Sequence, residues 1–341
     1  MITRRVLGTL AAVAALAAVA VRRRAVAGVP PELRHPALYL PLNVTNAATL
    51  AVGRRLRFPG ARIRPGVRVE RRTVPAGHGH PPVGVVVYRR AGSAAAPGAL
   101  LWIHGGGMVL GTPAIGHAWC SRVAAELGLT VVSVDYRLAP EHPFPAGLDD
   151  CYRVLRWLHD EAPALGIDPA RIAVGGDSAG GGLAATLAQR ARDTGVAVRL
   201  QLLVYPMLDD RTVLRERPDR PVFTWTPASN RYGWTAYLGH PPHEDDDRPY
   251  IAAARRTDLT GLAPAWIGVG DLDLFHREDV GYAHRLREAG VPCELLVVPG
   301  MYHGADALFD RREPTMTAFR TAMLKALLAA LTDARPAGSP Q

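Results

Sequence analysis

From residue 83 onward the chain repeats short, mostly apolar runs: Val83–Tyr88, Ala99–Ile103, Thr130–Val134, Arg171–Val174, Leu200–Val204, Ala265–Val269 and Glu294–Val298. Each has the length of a strand, and they lack the apolar/polar alternation of a strand with one wet face. Burial on both faces is therefore expected. Between them lie longer stretches with helical spacing, at Gly116–Glu126, Leu148–His159, Ala179–Asp193, Arg277–Ala289 and Thr315–Leu331. Doubly buried strands separated by helices predict an α/β fold on a largely parallel sheet.

Two segments break this rhythm. From Pro30 to Pro75 the chain is rich in Pro and Arg with scattered leucines, which predicts short helices rather than a strand. From Pro206 to Leu259 it is polar and rich in Pro, Trp and Asp, and an insertion of that length in a regular fold is usually functional.

Composition changes the picture little. With 341 residues, 48% hydrophobic and 21% charged, the chain is globular and long enough for a large core. Cys120, Cys151 and Cys293 are odd in number and never paired as C-x-x-C, so they are read as buried fillers rather than disulfides or metal ligands. The net charge of +9 is uneven: the first 72 residues carry a balance of +12, which leaves −3 for the rest. A body that is slightly acidic gives no support to a nucleic-acid partner.

The N-terminus has its own signal. Val6–Val21 is an uncharged run of 16 residues with Arg4 and Arg5 before it and Arg22, Arg23 and Arg24 after it. As a helix it spans about 24 Å, short of the ~30 Å hydrocarbon core. An uncleaved anchor or interfacial helix through residues 6–21 is expected, with a signal cleaved near Ala25-Val26-Ala27 as the alternative.

The chemistry is carried by two glycine-rich turns. Gly176-Asp177-Ser178-Ala179-Gly180 follows a β-branched run and opens an Ala-rich helix. That is where a G-x-S-x-G serine works as a nucleophile: the turn is sharp, only small residues fit two positions to either side, and the helix N-terminus favours negative charge. His104-Gly105-Gly106-Gly107 ends another strand, and amides can converge on a developing oxyanion only where side chains are absent. Gly106, Gly107 and the amide of Ala179 are the expected donors. His104 is read as a structural residue of that loop.

A serine nucleophile needs a base, and the base needs a carboxylate, in the chain order Ser, acid, His that accompanies such an elbow. Of His240, His243, His276, His284 and His303, only His303 sits in a short loop just after the last strand. Asp271 and Asp273 both follow the preceding strand, and periodicity does not choose between them. Glu141 and His142 precede the serine and are read as structural. Asp209-Asp210-Arg211 and Glu244-Asp245-Asp246-Asp247 look like metal-ligand clusters but are read as salt-linked or solvated loops, and neither metal nor cofactor is expected.

With these motifs in place, and with Tyr136-Arg-Leu-Ala-Pro-Glu-His-Pro-Phe-Pro145, Asp273-Leu-Phe and Tyr302-His303-Gly304 in order, residues 80 to 310 resemble the bacterial hormone-sensitive-lipase family of α/β-hydrolase carboxylesterases. The resemblance implies an eight-stranded, mostly parallel sheet with a helical cap. It favours Asp273 as the acid, since the family's acid stands about thirty positions before its histidine. It implies that residues 28–75 and the insertion 207–259 form a cap, and with the membrane-directed segment 1–27 read above, the chain is expected to divide into these parts and core halves 76–206 and 260–335. The implied function is hydrolysis of short- to medium-chain esters through an acyl-enzyme. An amidase or lactonase with the same triad, or a ligand-binding protein on this fold, are the alternatives. Met108 stands where the family often has Phe or Tyr, and Arg277-Glu278 where it has an acidic pair.

Overall fold

The computed structural model describes residues 17, 19–40, 43–55, 62–77, 79–93, 95–215, 220–309 and 313–332. Helix α1 covers residues 19–27 and α2 Ala47–Arg55, with 3-10 turns at Pro31–Leu33 and Pro36–Tyr39 between them. Then come β1 (Val67–Val74), β2 (Val83–Arg90), β3 (Ala99–Ile103), α3 (His117–Leu127), β4 (Thr130–Asp135), α4 (Ala146–Asp160), α5 (Ala162–Leu165), β5 (Ile172–Asp177) and α6 (Ala179–Asp193). After β6 (Leu200–Val204) the insertion holds α7 (Pro227–Leu238), and the chain ends with β7 (Ala265–Gly270), α8 (His276–Glu288), β8 (Cys293–Val298), α9 (Ala305–Leu308) and α10 (Pro314–Leu331).

The eight strands form one sheet in the order β1-β2-β4-β3-β5-β6-β7-β8. β1–β2 and β2–β4 pair antiparallel, and all later neighbours pair parallel. Successive side chains of a strand point to opposite faces, so the strands split their apolar residues between two cores. Leu101, Ile103, Val132, Val134 and Val174 pack on one face with Val154, Leu155 and Leu158 of α4 and Leu187 of α6. Leu100, Trp102, Val131, Ala173 and Leu202 pack on the other with Val123 of α3 and Phe319 and Leu327 of α10.

The expectation of helices alone between Pro30 and Pro75 is corrected. Residues 67–74 form an edge strand of the sheet, so the sheet begins before the boundary placed at 76. The run Val-Arg-Val-Glu-Arg-Arg-Thr-Val is hidden by its charges, because an edge strand exposes one face; Arg68, Arg71 and Thr73 are exposed and only Val74 is fully buried. Cys120 and Cys151 are buried as expected, whereas Cys293 is only partly so; all three are free thiols.

The apolar run 6–21 lies mostly outside the described residues. Among those described, no helix is long and apolar enough to cross a membrane. The end of α1 docks on the body: Val26 and Val29 are buried in the core shared with Tyr302 and Phe319, and the Arg22 guanidinium lies 4.9 Å from the Phe223 ring centroid.

Candidate active site

Crossovers in a parallel sheet leave the carboxyl ends of the strands open, and loops there converge on one crevice. β3 ends at His104-Gly-Gly-Gly, β5 at Ser178, β7 at the Asp271/Asp273 turn and β8 at the His303 loop. Ser178 sits between β5 and α6 at φ 55°, ψ −121°, a strained conformation for a residue with a Cβ. The two glycines around it are required by contact. A Cβ at Gly176 would stand 2.4 Å from the Gly180 carbonyl group, and one at Gly180 would stand 2.1 Å from the Ile103 oxygen. The elbow is also sewn to its neighbours, the Ser178 amide donating to the Val204 carbonyl at 2.9 Å.

The side chain reaches His303. The distance from Nε2 of His303 to Oγ of Ser178 is 2.9 Å, and Nδ1 of His303 lies 2.9 Å from Oδ2 and 3.2 Å from Oδ1 of Asp273. All three residues are buried, with Ser178 only 5% exposed. Oδ1 of Asp273 also accepts the Phe275 amide at 2.9 Å, which fixes the carboxylate at the start of α8. Asp271 turns elsewhere: Oδ1 accepts the Gly300 amide at 2.6 Å and Oδ2 pairs with Arg220 at 3.4 Å. Of the two carboxylates that periodicity left open, it is that of Asp273 that faces His303.

Gly106 and Gly107 follow β3 with φ of 120° and 62°, so both use backbone that favours glycine. A Cβ on Gly107 would lie 2.1 Å from the Trp225 indole, and one on Gly106 would lie 2.3 Å from the Leu110 oxygen. Ala179 is the first residue of α6, where an N–H has no intrahelical acceptor. Gly105 is held from below, its amide donating to Oδ1 of Asp177 at 3.2 Å. Burial, and next the charge of Asp306, push the Asp177 carboxyl up to about 7. His104 is a structural residue here. It is fully buried and stacked on Tyr136 at 4.4 Å, its Nδ1 is 2.8 Å from the Gly105 carbonyl, and burial lowers its pKa to about 4.

Other groups singled out in the sequence lie elsewhere. Glu141 forms an exposed two-point pair with Arg54. Asp209 pairs with Arg211 and Arg215, and buried Asp210 with Arg255. His240, His243 and Asp246 have ligand atoms within 4.8 Å of one another. However, the Arg248 guanidinium donates to both oxygens of Asp246 and stands 2.7 Å from Nε2 of His240, in the space a cation would need. Among the described residues this is the one cluster of such ligand atoms, and its aspartate is already paired with Arg248.

Sequence reasoning missed several contacts. Trp225, in the insertion, covers Gly107, and Thr224 donates its hydroxyl to the His303 carbonyl. Tyr205 and Phe275 meet the His303 ring edge-on, with centroids 4.8 and 5.2 Å away. Glu278 accepts the amides of Leu208 and Asp209, tying α8 to the start of the insertion. The one signal for Tyr205 was its place directly after an apolar run, which does not distinguish it from any other strand end.

The family described as alpha/beta hydrolase fold matches residues 100–307. The chain is 38% identical over 264 residues to esterase LipI of Mycobacterium tuberculosis, covering 74% of this chain and 80% of that protein. Among solved structures, a bacterial heroin esterase superposes with a TM-score of 0.80 at 36% identity, covering 89% of this chain and 98% of the other. Esterase LipW from Mycobacterium marinum superposes at 0.79 with 35% identity, covering 90% and 97%. The chain belongs to the hormone-sensitive-lipase-like family of α/β hydrolases. Within that family it is an esterase-class enzyme.

Proposed function

We propose that Ser178 is the nucleophile of a carboxylesterase acting on short- to medium-chain esters, with His303 as its base and Asp273 as the acid. The observation that carries this reading is His303 within hydrogen-bond reach of Ser178 on one side and Asp273 on the other. Ser178 attacks the ester carbonyl as His303 takes its proton. The amides of Gly106, Gly107 and Ala179 receive the developing oxyanion. His303 then returns the proton to the leaving alcohol, and a water repeats the sequence to release the acid. Asp273 holds the imidazole in the tautomer this needs and stabilises the imidazolium. No step calls on a metal or cofactor.

Residues 28–66 and 207–259 act as a cap. Its two parts are joined by the Val44 amide on Ser229 Oγ at 3.1 Å and by Thr226 on Asn43 at 2.9 Å, and Trp225 lies against Gly107. A near-closed site under an indole suits small acyl groups. Labelling of Ser178 by a fluorophosphonate, with a p-nitrophenyl ester series and matched amides and lactones, tests the reading. Labelling with turnover of amides or lactones alone would replace the esterase assignment, and failure to label would favour a ligand-binding role.

The run 6–21 is proposed to hold the enzyme at a lipid surface. Val26, just beyond it and upstream of such a cleavage, is built into the core, which speaks for its retention over cleavage near Ala27. Co-sedimentation with vesicles of the full chain, against one lacking residues 1–17, tests this.

A further inference from the structure

Tyr205 is the first residue after β6, and its φ of 34° is a left-handed backbone that residues with a Cβ rarely adopt. Strain of this kind persists where the surroundings over-determine it, and it gathers at functional sites. Here the surroundings are hydrogen bonds. The Tyr205 amide donates to the Gly268 carbonyl at 2.7 Å, and the Met207 amide to the Ser178 carbonyl at 2.9 Å. The turn that aims Tyr205 is therefore stitched to β7 and to the nucleophile itself.

What the turn aims is a ring with a hydroxyl at its tip. The ring meets the His303 imidazole at 64° with centroids 4.8 Å apart. The hydroxyl passes beyond it and donates to Oδ1 of Asp306 at 2.7 Å. Asp306 lies on α9, three positions past His303, so one side chain both packs the base and ties down the loop that carries it.

We infer that Tyr205 and Asp306 are positioning residues for the reaction: a hydrogen-bonded clamp that orients His303 and keeps a second carboxylate beside it, in addition to Asp273. The inference rests on the serine-hydrolase reading of the site. Its electrostatic half follows from proximity. Asp306 stands three positions past His303, with its carboxylate on the hydroxyl of the ring that packs against the imidazole. The other charged groups facing this corner are Asp273, with Asp279 of α8 behind it, and Arg320 of α10, whose guanidinium donates to the Asp306 carbonyl at 2.6 Å. Burial pushes the Asp306 carboxyl up, and the Tyr205 hydroxyl pulls it back toward its charged form. When Ser178 surrenders its proton, the imidazolium that forms is stabilised by that charge.

Two variants separate the halves. Tyr205→Phe keeps the ring and removes the donor; Asp306→Asn keeps the acceptor and removes the charge. Steady-state hydrolysis of p-nitrophenyl butyrate is followed as a function of pH, together with thermal unfolding. The expected result for Tyr205→Phe is kcat lower by roughly tenfold with KM unchanged. In Asp306→Asn the acid limb of kcat/KM moves to lower pH, because a negative charge near the base is gone, while Tyr205→Phe, which keeps that charge, mainly lowers kcat. Unmoved kcat and unmoved limbs overturn the inference, as does a loss confined to KM or to melting temperature. An unmoved limb in Asp306→Asn overturns the electrostatic half even if Tyr205→Phe is slow. If Tyr205→Phe does not fold, the Asp306→Asn profile decides. A wild-type chain that neither turns over esters nor takes up a fluorophosphonate removes the serine-hydrolase reading instead, and so is told apart from failure of the clamp.

Discussion

Nε2 of His303 stands 2.9 Å from Oγ of Ser178, and the Ser178 backbone beneath that contact is held at φ 55°, ψ −121°. The hydroxyl proposed to react is thus mounted on a strained turn, and such strain is worth on the order of 1–3 kcal/mol. Ser178→Ala and Ser178→Gly should both lose ester hydrolysis by at least roughly 10³-fold. Glycine adopts positive φ without penalty, so Ser178→Gly should melt above Ser178→Ala. Thermal unfolding of the two variants checks the strain; wild-type turnover by either would reject Ser178 as the nucleophile.

The two aspartates after β7 should behave differently. Asp273→Asn keeps the size of the side chain but removes the carboxylate facing Nδ1 of His303, and a loss of kcat of about 10⁴-fold is expected. Asp271, whose carboxylate is held by Gly300 and Arg220 among the described residues, turns away from His303, and Asp271→Asn should leave kcat near that of wild type. Parallel kcat measurements decide, and equal losses would count against Asp273 as the sole acid.

A methyl group on the oxyanion loop has nowhere to go. In Gly107→Ala the new Cβ meets the Trp225 indole at 2.1 Å and requires φ 62°. Displacing that one amide should lower kcat by roughly 10²- to 10³-fold. Adding Trp225→Ala removes the clash but not the backbone strain, so partial recovery is the expected outcome of the double variant. No recovery at all would place the whole effect in the backbone.

Stability should fall as pH rises toward neutrality and beyond. Burial raises the Glu278 carboxyl from 4.5 to about 8, against its hydrogen bonds from Thr212 and the Leu208 and Asp209 amides. The folded chain therefore holds a proton that the unfolded chain releases above 4.5, and unfolding becomes easier with each step of pH until about 8. Glu278→Gln has no proton to release. Its advantage over wild type should be least at acid pH and greatest near pH 8 in melting curves; a constant difference would show that Glu278 is charged in the fold.

Much of this was legible in the chain because it depends on neighbours in sequence. A strand, a tight turn and a helix place Ser178 regardless of what lies across the sheet, and three glycines after β3 mark a loop without side chains. The edge strand β1 was not legible, since its pairing with β2 overrides a charged sequence that favours no strand. Metal ligation by Asp209, Asp210 or Asp246 was open to the sequence only as a pattern of acids; the arginines that occupy them come from as far as Arg255.

The alternation of strands and helices from residue 83 onward, the turn that carries Ser178 and the glycine loop after β3 were determined by the amino-acid sequence alone, because steric demands at 176, 178 and 180 act within a few bonds. Which aspartate faces His303, what covers Gly107 and why Tyr205 is bent toward Asp306 were decided only in three dimensions. Those relations join side chains from different strands, and their direction depends on how the sheet brings the strand ends together.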